Sequence, residues 1–193
     1  TSIGNYTFSG CSGLTSVTIP TSITSIGECA FGGCTGLTSL TIPYSVTVIG
    51  ERAFNGCGGL INVDSANPNY SSLDGVLFNK TQTALIQCPI SKIGSYIIPN
   101  SVTSIGNGAF RNCANLTSVS IPNSLTSIEY GAFYGCSGLT SVTIPNLVSS
   151  IGGAAFSGCS GLTSIYADPA TPVDLGENRN VFYLRAIQRI IDK

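Results

Sequence analysis

Histidine is missing altogether from the 193 residues. Its absence removes the commonest general base and excludes Ser-His-Asp and Cys-His nucleophile pairs. Charge is scarce too: 9% of residues are Asp, Glu, Lys or Arg, and the net charge is −1. No basic patch is available to hold nucleic acid. No apolar run reaches the roughly eighteen residues that a membrane-spanning helix needs. The carboxylates Glu28, Glu51, Asp64, Asp74, Glu129, Asp168, Asp174 and Glu177 are scattered, so no catalytic residue is assigned. The Gly-rich run Gly56-Cys-Gly-Gly lacks the Lys-Ser/Thr of a phosphate loop. Methionine is absent and no leader segment is seen, which suggests an excised or processed stretch of a longer protein.

What the chain does have is repetition. Leu14 to Gly36 forms a unit of 23 residues, and close copies open at Leu37, Leu116 and Leu139. Self-similarity at such a period signals stacked coils, none of which can bury its own apolar face alone. Each unit opens Leu-x-x-Val-x-Ile-Pro, as in Leu14, Val17, Ile19, Pro20 and Leu116, Val119, Ile121, Pro122. The alternation predicts a short half-buried strand, with Val17 and Ile19 inward and Ser16 and Thr18 outward. Pro20 lacks a backbone donor and should end that strand. Ile23, Ile26, Gly27 and the Ala30-Phe31 pair then fill the far side of the coil.

This pattern resembles the BspA-type leucine-rich repeat of microbial surface proteins. It recurs in six Phe-x-Gly-Cys-like arms and covers nearly all of residues 1–167. The resemblance implies a mainly β repeat solenoid: a right-handed, leucine-rich-repeat-like superhelix with a parallel sheet on its concave face and little helix. It also implies adhesion or host-interaction work at the cell surface or in the secreted fraction. Other leucine-rich repeats carry Asn or Cys at the ninth position. Here Ser22, Ser45, Ser101 and Ser124 stand there, with Leu147 as the exception. A Ser hydroxyl can donate to a turn carbonyl as an Asn amide does, but with one hydrogen in place of two.

Six of the eight cysteines occupy one repeat position: Cys11, Cys34, Cys57, Cys113, Cys136 and Cys159. A reduced, inward-facing ladder is the favoured reading, since free Cys is among the most buried residue types. Disulfides between neighbouring coils are the other, although in-register side chains run parallel and make the torsion awkward. No metal site is expected without His or a Cys-x-x-Cys pair, and no cofactor is implied.

The chain is divided within one solenoid domain, 1–193. Residues 1–13 are a partial coil whose strand is missing, so further coils are expected upstream. Coils are regular over 14–59 and 93–161, and divergent or truncated over 60–92. In 60–82 the 23-residue frame is expected to hold, with Leu60, Val63, Asp64 and Leu77 at the Leu14, Val17, Thr18 and Phe31 positions. Residues 83–92 are either a cut-down coil, with Ile86, Cys88 and Pro89 in the strand frame, or half of a hairpin in which 75–79 pairs with 83–88. Either way the back wall should break near 70–95. Residues 162–193 form a cap or tail, with helical spacing over Phe182–Ile191.

The outward rows are hydroxyl ladders, interrupted by Asp64, Gln87, Ile97 and Tyr166, with Tyr44 at the rim. These five are the candidate partner-binding residues, because exposed aromatic and apolar side chains commonly anchor interfaces. Tyr70 is a loop aromatic that packs locally. The expected function is a non-enzymatic surface or secreted binding module for an extracellular protein or glycan. Alternatives are a spacer that presents another domain and a hydrolase hidden in the divergent segment.

Overall fold

In the computed structural model, residues 1–167 are described, and the capping helix expected over 182–191 lies outside them. Every regular element among the described residues is a strand. The chain divides into two compact units, residues 1–91 and 92 onward. Each is a stack of coils of the leucine-rich-repeat-like solenoid.

In the first unit the strands are β1 (Ser2–Ile3), β2 (Ser25–Ile26), β3 (Ser39–Ile42), β4 (Val48–Ile49), β5 (Leu60–Val63), β6 (Tyr70–Leu73), β7 (Val76–Asn79) and β8 (Ala84–Gln87). The back wall is the parallel set β1-β2-β4, in a 23-residue register that pairs Ile3 with Ile26 and Ile26 with Ile49. In front, Ser16 bridges Ser39, and β3 pairs in parallel with β5. β3 stops at Ile42, just before Pro43, as the missing proline donor requires. Between the walls Phe8, Phe31 and Phe54 stack face to face, with centroids 5.2 and 5.6 Å apart. Burying each ring contributes roughly 1.5–3 kcal/mol.

The cysteine ladder is reduced and mostly buried, as expected: Cys34 and Cys57 are inside, and Cys11, on the end coil, is exposed. The thiol of Cys34 donates to the carbonyl of Phe8 one coil earlier, at 3.1 Å. The residue is therefore a small apolar filler that also ties one coil to the next. Desolvation raises the Cys57 thiol to a pKa of about 11.

After Cys57 the frame shifts. β5 pairs with β3 through Ser39–Leu60, Leu40–Ile61, Thr41–Asn62 and Ile42–Val63, a spacing of 21 residues in place of 23. Leu60 thus takes an outward position and is exposed, and Val63 matches Ile42, not Leu40. Asn62, not Asp64, continues the row that Thr41 begins. The two-residue shortening falls at Gly58-Gly59, where any Cβ would press on the backbone of Thr35 or Ser39.

A three-stranded antiparallel meander follows, β6-β7-β8. Residues 75–88 therefore form a hairpin. Asp74 and Gly75, with φ of 51° and 76°, make the tight turn from β6 to β7; positive φ at both central residues gives the twist a two-residue hairpin needs. The back-wall ladder stops at β4, and side chains close its edge. Asn67 is fully buried. Its amide donates to the carbonyls of Pro43 and Val46, each at 2.9 Å, and its carbonyl accepts from the backbone N–H groups of Asn69 and Tyr70, each at 2.9 Å. Tyr70 Oη accepts from Ile49 N at 2.9 Å, and Asn69 Nδ2 donates to Thr47 O at 2.7 Å. Tyr70 thus opens strand β6 and does not lie in a loop as expected; the packing half of its reading holds, since it is half-buried against the core.

In the second unit the strands are β9 (Gly94–Ile97), β10 (Ser104–Ile105), β11 (Leu116–Ser120), β12 (Ser127–Ile128), β13 (Ser141–Ile144), β14 (Ser150–Ile151) and β15 (Ser164–Ala167). The back wall runs β10-β12-β14 in parallel. In front, β9 pairs with β11 and β13 with β15, again parallel. Phe110, Phe133 and Phe156 stack at 4.9 and 5.2 Å with nearly parallel planes. Cys136 Sγ donates to Phe110 O at 2.9 Å and Cys159 Sγ to Phe133 O at 3.0 Å. The ninth-position hydroxyl works as expected: Ser124 Oγ lies 2.7 Å from the carbonyls of both Asn100 and Val102.

Candidate functional site

Alternation along each front strand leaves two side chains per coil facing outward. In the first unit these are Ser16 and Thr18, Ser39 and Thr41, then Leu60 and Asn62. In the second they are Ser95 and Ile97, Ser118 and Ser120, Ser141 and Thr143, Ser164 and Tyr166.

The first unit's front carries a hollow of about 320 Å³ lined by Ser16, Val17, Thr18, Ile19, Ser39, Leu40, Thr41, Pro43 and Asp64. Asp64 reaches it from just beyond the end of β5, although it is off the row assigned to it from the sequence. Its Oδ1 accepts from Ala66 N at 2.9 Å, and its own N–H donates to Ile42 O at 2.9 Å. Tyr44 follows Pro43 and is 51% exposed. Lys80 Nζ donates to Ser65 O at 3.0 Å.

On the second unit, Ile97 is 75% exposed and shares a row with Ser120, and Tyr166, 40% exposed, shares one with Thr143. Ile93, also exposed, stands beside β9. This face has apolar and aromatic interruptions but no carboxylate among its outward residues.

Gln87 is a correction. It is 2% exposed, with Nε2 donating to Cys88 O at 3.0 Å. The parallel-coil frame placed it outward. β8 is antiparallel to β7 and pairs Leu77 with Gln87, so it follows a different alternation, and Gln87 leaves the candidate set.

Hydroxyls on the flanks of the coils behave differently from those on the front. Thr24 donates to Thr1 O at 3.2 Å, Thr38 to Thr15 O at 3.3 Å, Thr126 to Thr103 O at 2.9 Å and Thr163 to Thr140 O at 3.2 Å. They are threads between coils. Asn67 and the Asp74-Gly75 turn were missed from the sequence, and the Asp-Gly pair between two apolar-rich stretches was the available signal. Among the described residues no group of three or more His, Cys, Asp or Glu converges as a metal site would. No helix among them is long and apolar enough to cross a membrane.

The model of the BspA type leucine rich repeat region matches residues 1–97 and 88–172, in six copies. The chain belongs to this family. Among solved structures, the BspA-type repeat seen here is similar to a leucine-rich repeat protein from Eubacterium ventriosum, with 28% identity over 87% of this chain and 58% of that one, at a TM-score of 0.66. It is similar to the pneumococcal vaccine antigen PcpA, with 28% identity over 86% of this chain and 48% of that one, at 0.71. It is also similar to a leucine rich cell surface protein from Faecalibacterium prausnitzii, with 33% identity over 86% of this chain and 51% of that one, at 0.69. The chain thus spans about half the length of these relatives. No curated protein matches the sequence.

Proposed function

We propose that this BspA-type repeat stretch is a non-enzymatic binding module that works at the cell surface or outside the cell. It engages a protein or glycan partner through the outward side chains of its front strands. The observation that carries this reading is the contrast between hydroxyls spent on neighbouring coils and front-face side chains left to solvent, with Tyr44, Leu60, Asn62, Asp64, Ile97 and Tyr166 interrupting the hydroxyl rows. Exposed aromatic and apolar residues in such settings are the usual anchors of recognition. Two structural relatives, a leucine rich cell surface protein and a vaccine antigen, support the location.

The test is binding of the purified chain to immobilised extracellular matrix proteins and to glycans. Variants Y44A, D64N, I97S and Y166S are compared with T38V, which alters only a flank hydroxyl. The reading expects at least one front-face variant to lose binding while T38V keeps it. Equal binding by all variants removes the front face as the site. The uniform ladder Ser118, Ser120, Ser141 and Thr143 supports a second reading, a spacer that presents another domain. In that case no partner is captured by this stretch under any condition.

A further inference from the structure

We infer that the hollow on the first unit's front binds a single neutral sugar residue of a glycan. This rests on the reading of the front face as the binding surface and narrows it to one ligand class and one place. The hollow's polar wall consists of the hydroxyls of Ser16, Thr18, Ser39 and Thr41 and the carboxylate of Asp64. Among the described residues none of those four hydroxyls makes a hydrogen bond, whereas Thr38 and Thr24, on the flanks of the same coils, each donate to a carbonyl of the preceding coil. Asp64, which lines the hollow, is held through Oδ1 by Ala66 N, and its second carboxylate oxygen makes no hydrogen bond to another described residue.

The chemistry of these groups selects among ligands. Each Ser or Thr hydroxyl offers one donor and two acceptor positions, and a carboxylate only accepts. A Lys or Arg side chain from a protein partner has donors alone, so it would satisfy Asp64 and leave four hydroxyl hydrogens without acceptors. A vicinal diol supplies both: its O–H groups donate to Asp64 Oδ2, and its oxygens accept from the threonines and serines. A volume of about 320 Å³ lies at the low end for small-ligand sites. That suits one ring of a chain better than a loop of protein. Tyr44, next in sequence to the lining residue Pro43, is exposed and offers an aromatic face near the hollow's rim.

The experiment displays the biotinylated chain as a streptavidin tetramer on a glycan array and then titrates soluble oligosaccharides from any hit. The tetramer raises avidity for a weak single-residue site. D64N and T41V are expected to weaken binding at least tenfold, because a hydrogen bond to a charged group is a large share of a small site's affinity. T38V, which touches only a flank hydroxyl, is expected to bind as the parent does. Parent-like binding by D64N and T41V, both shown folded by their melts, overturns the inference. So does an array with no hit. If the array is silent but the chain binds a matrix protein and I97S or Y166S loses it, the sugar site falls and the front-face reading stands. If neither partner class binds, both fall.

Discussion

Residues 93–161 and residues 60–91 reach the same end by opposite means. In 93–161 both coil junctions are made by like residues, Phe on Phe and Cys thiol on Phe carbonyl, and at the first of them Ser124 adds its hydroxyl on turn carbonyls. In 60–91 the repeat is lost, and individually placed side chains do the closing. Asn67 makes four hydrogen bonds from full burial, Tyr70 and Asn69 cap the edge of β4, and Asn79 holds the β7–β8 turn through Thr83 N and Ala84 N. Repetition spreads stability over many similar contacts. Departure from it concentrates stability in a few unlike ones.

The largest expected effect tests the repetitive side. Phe133 sits between two rings, Phe110 and Phe156, and is fully buried. F133A should lower unfolding free energy by about 3–5 kcal/mol, from lost transfer energy plus a cavity. Phe8 has one ring neighbour and is only half-buried, so F8A should cost clearly less. Urea melts of both variants check this. Equal losses would mean that the stack is not the source of coil-to-coil cohesion.

The next effect tests the irregular side. N67A leaves the Val46 carbonyl and the Asn69 and Tyr70 N–H groups short of a partner, and the Pro43 carbonyl with the bond from Val46 N alone, at about 3 kcal/mol overall. S124A removes one hydroxyl, at about 1 kcal/mol. The comparison fails if the two variants melt alike. Asn67 performs with both its hydrogens the task that Ser124 performs with one. It reaches the carbonyl of Val46, three residues past Pro43, as Ser124 reaches that of Val102, three past Pro99.

What the sequence revealed and what it hid follow the same division. The coil frame, the Phe and Cys files and the strand stop before Pro43 were readable because each is stated several times over. Leu60 misled because Cys57-Gly-Gly-Leu60 copies Cys34-Thr-Gly-Leu37 locally, while the strand that follows starts two residues early. Asp64 went astray with it, yet still reaches the front hollow. Gln87 misled because a reversal of strand direction leaves no mark on a parallel frame. Asn67 was hidden among other Asn and Ser residues, since burial, not identity, makes it special. The hairpin was half visible, as one of two readings of 75–88.

A pH dependence should separate the ladder from the meander. Burial holds the Cys57 thiol up at about 11, and Cys34 is raised for the same first cause. Cys136 is raised too, by the neighbouring Cys159 thiol and by burial. For a thiol whose folded pKa exceeds its unfolded value near 9, the folded state keeps its proton while the unfolded chain gives it up. Stability is therefore fully present below pH 9 and lost as pH rises toward 11. The slope is about 1.4 kcal/mol per pH unit for one such thiol. Melts of the parent and of C57A between pH 8 and about 11 should show a shallower decline in the variant. Parallel declines would assign the loss to other groups.

The smallest effect is a gain. Each arm has a position two residues before its stacked Phe where the backbone is left-handed: Tyr6, Cys29, Arg52 and Ala154, at φ of 59°, 48°, 53° and 56°, but Gly108 and Gly131 in two other coils. A Cβ in that region costs on the order of 1 kcal/mol, which the coils with glycine do not bear. Tyr6 recovers part of it through a 2.8 Å hydrogen bond from its hydroxyl to Glu28 Oε1; Ala154 has no side chain with which to do so. A154G should therefore raise stability by about 0.5–1 kcal/mol, even though glycine adds freedom to the unfolded chain. Y6G should gain less or lose. If A154G is destabilising, the unfolded-state entropy of glycine outweighs the strain, and the coils with glycine at this position hold no advantage from it.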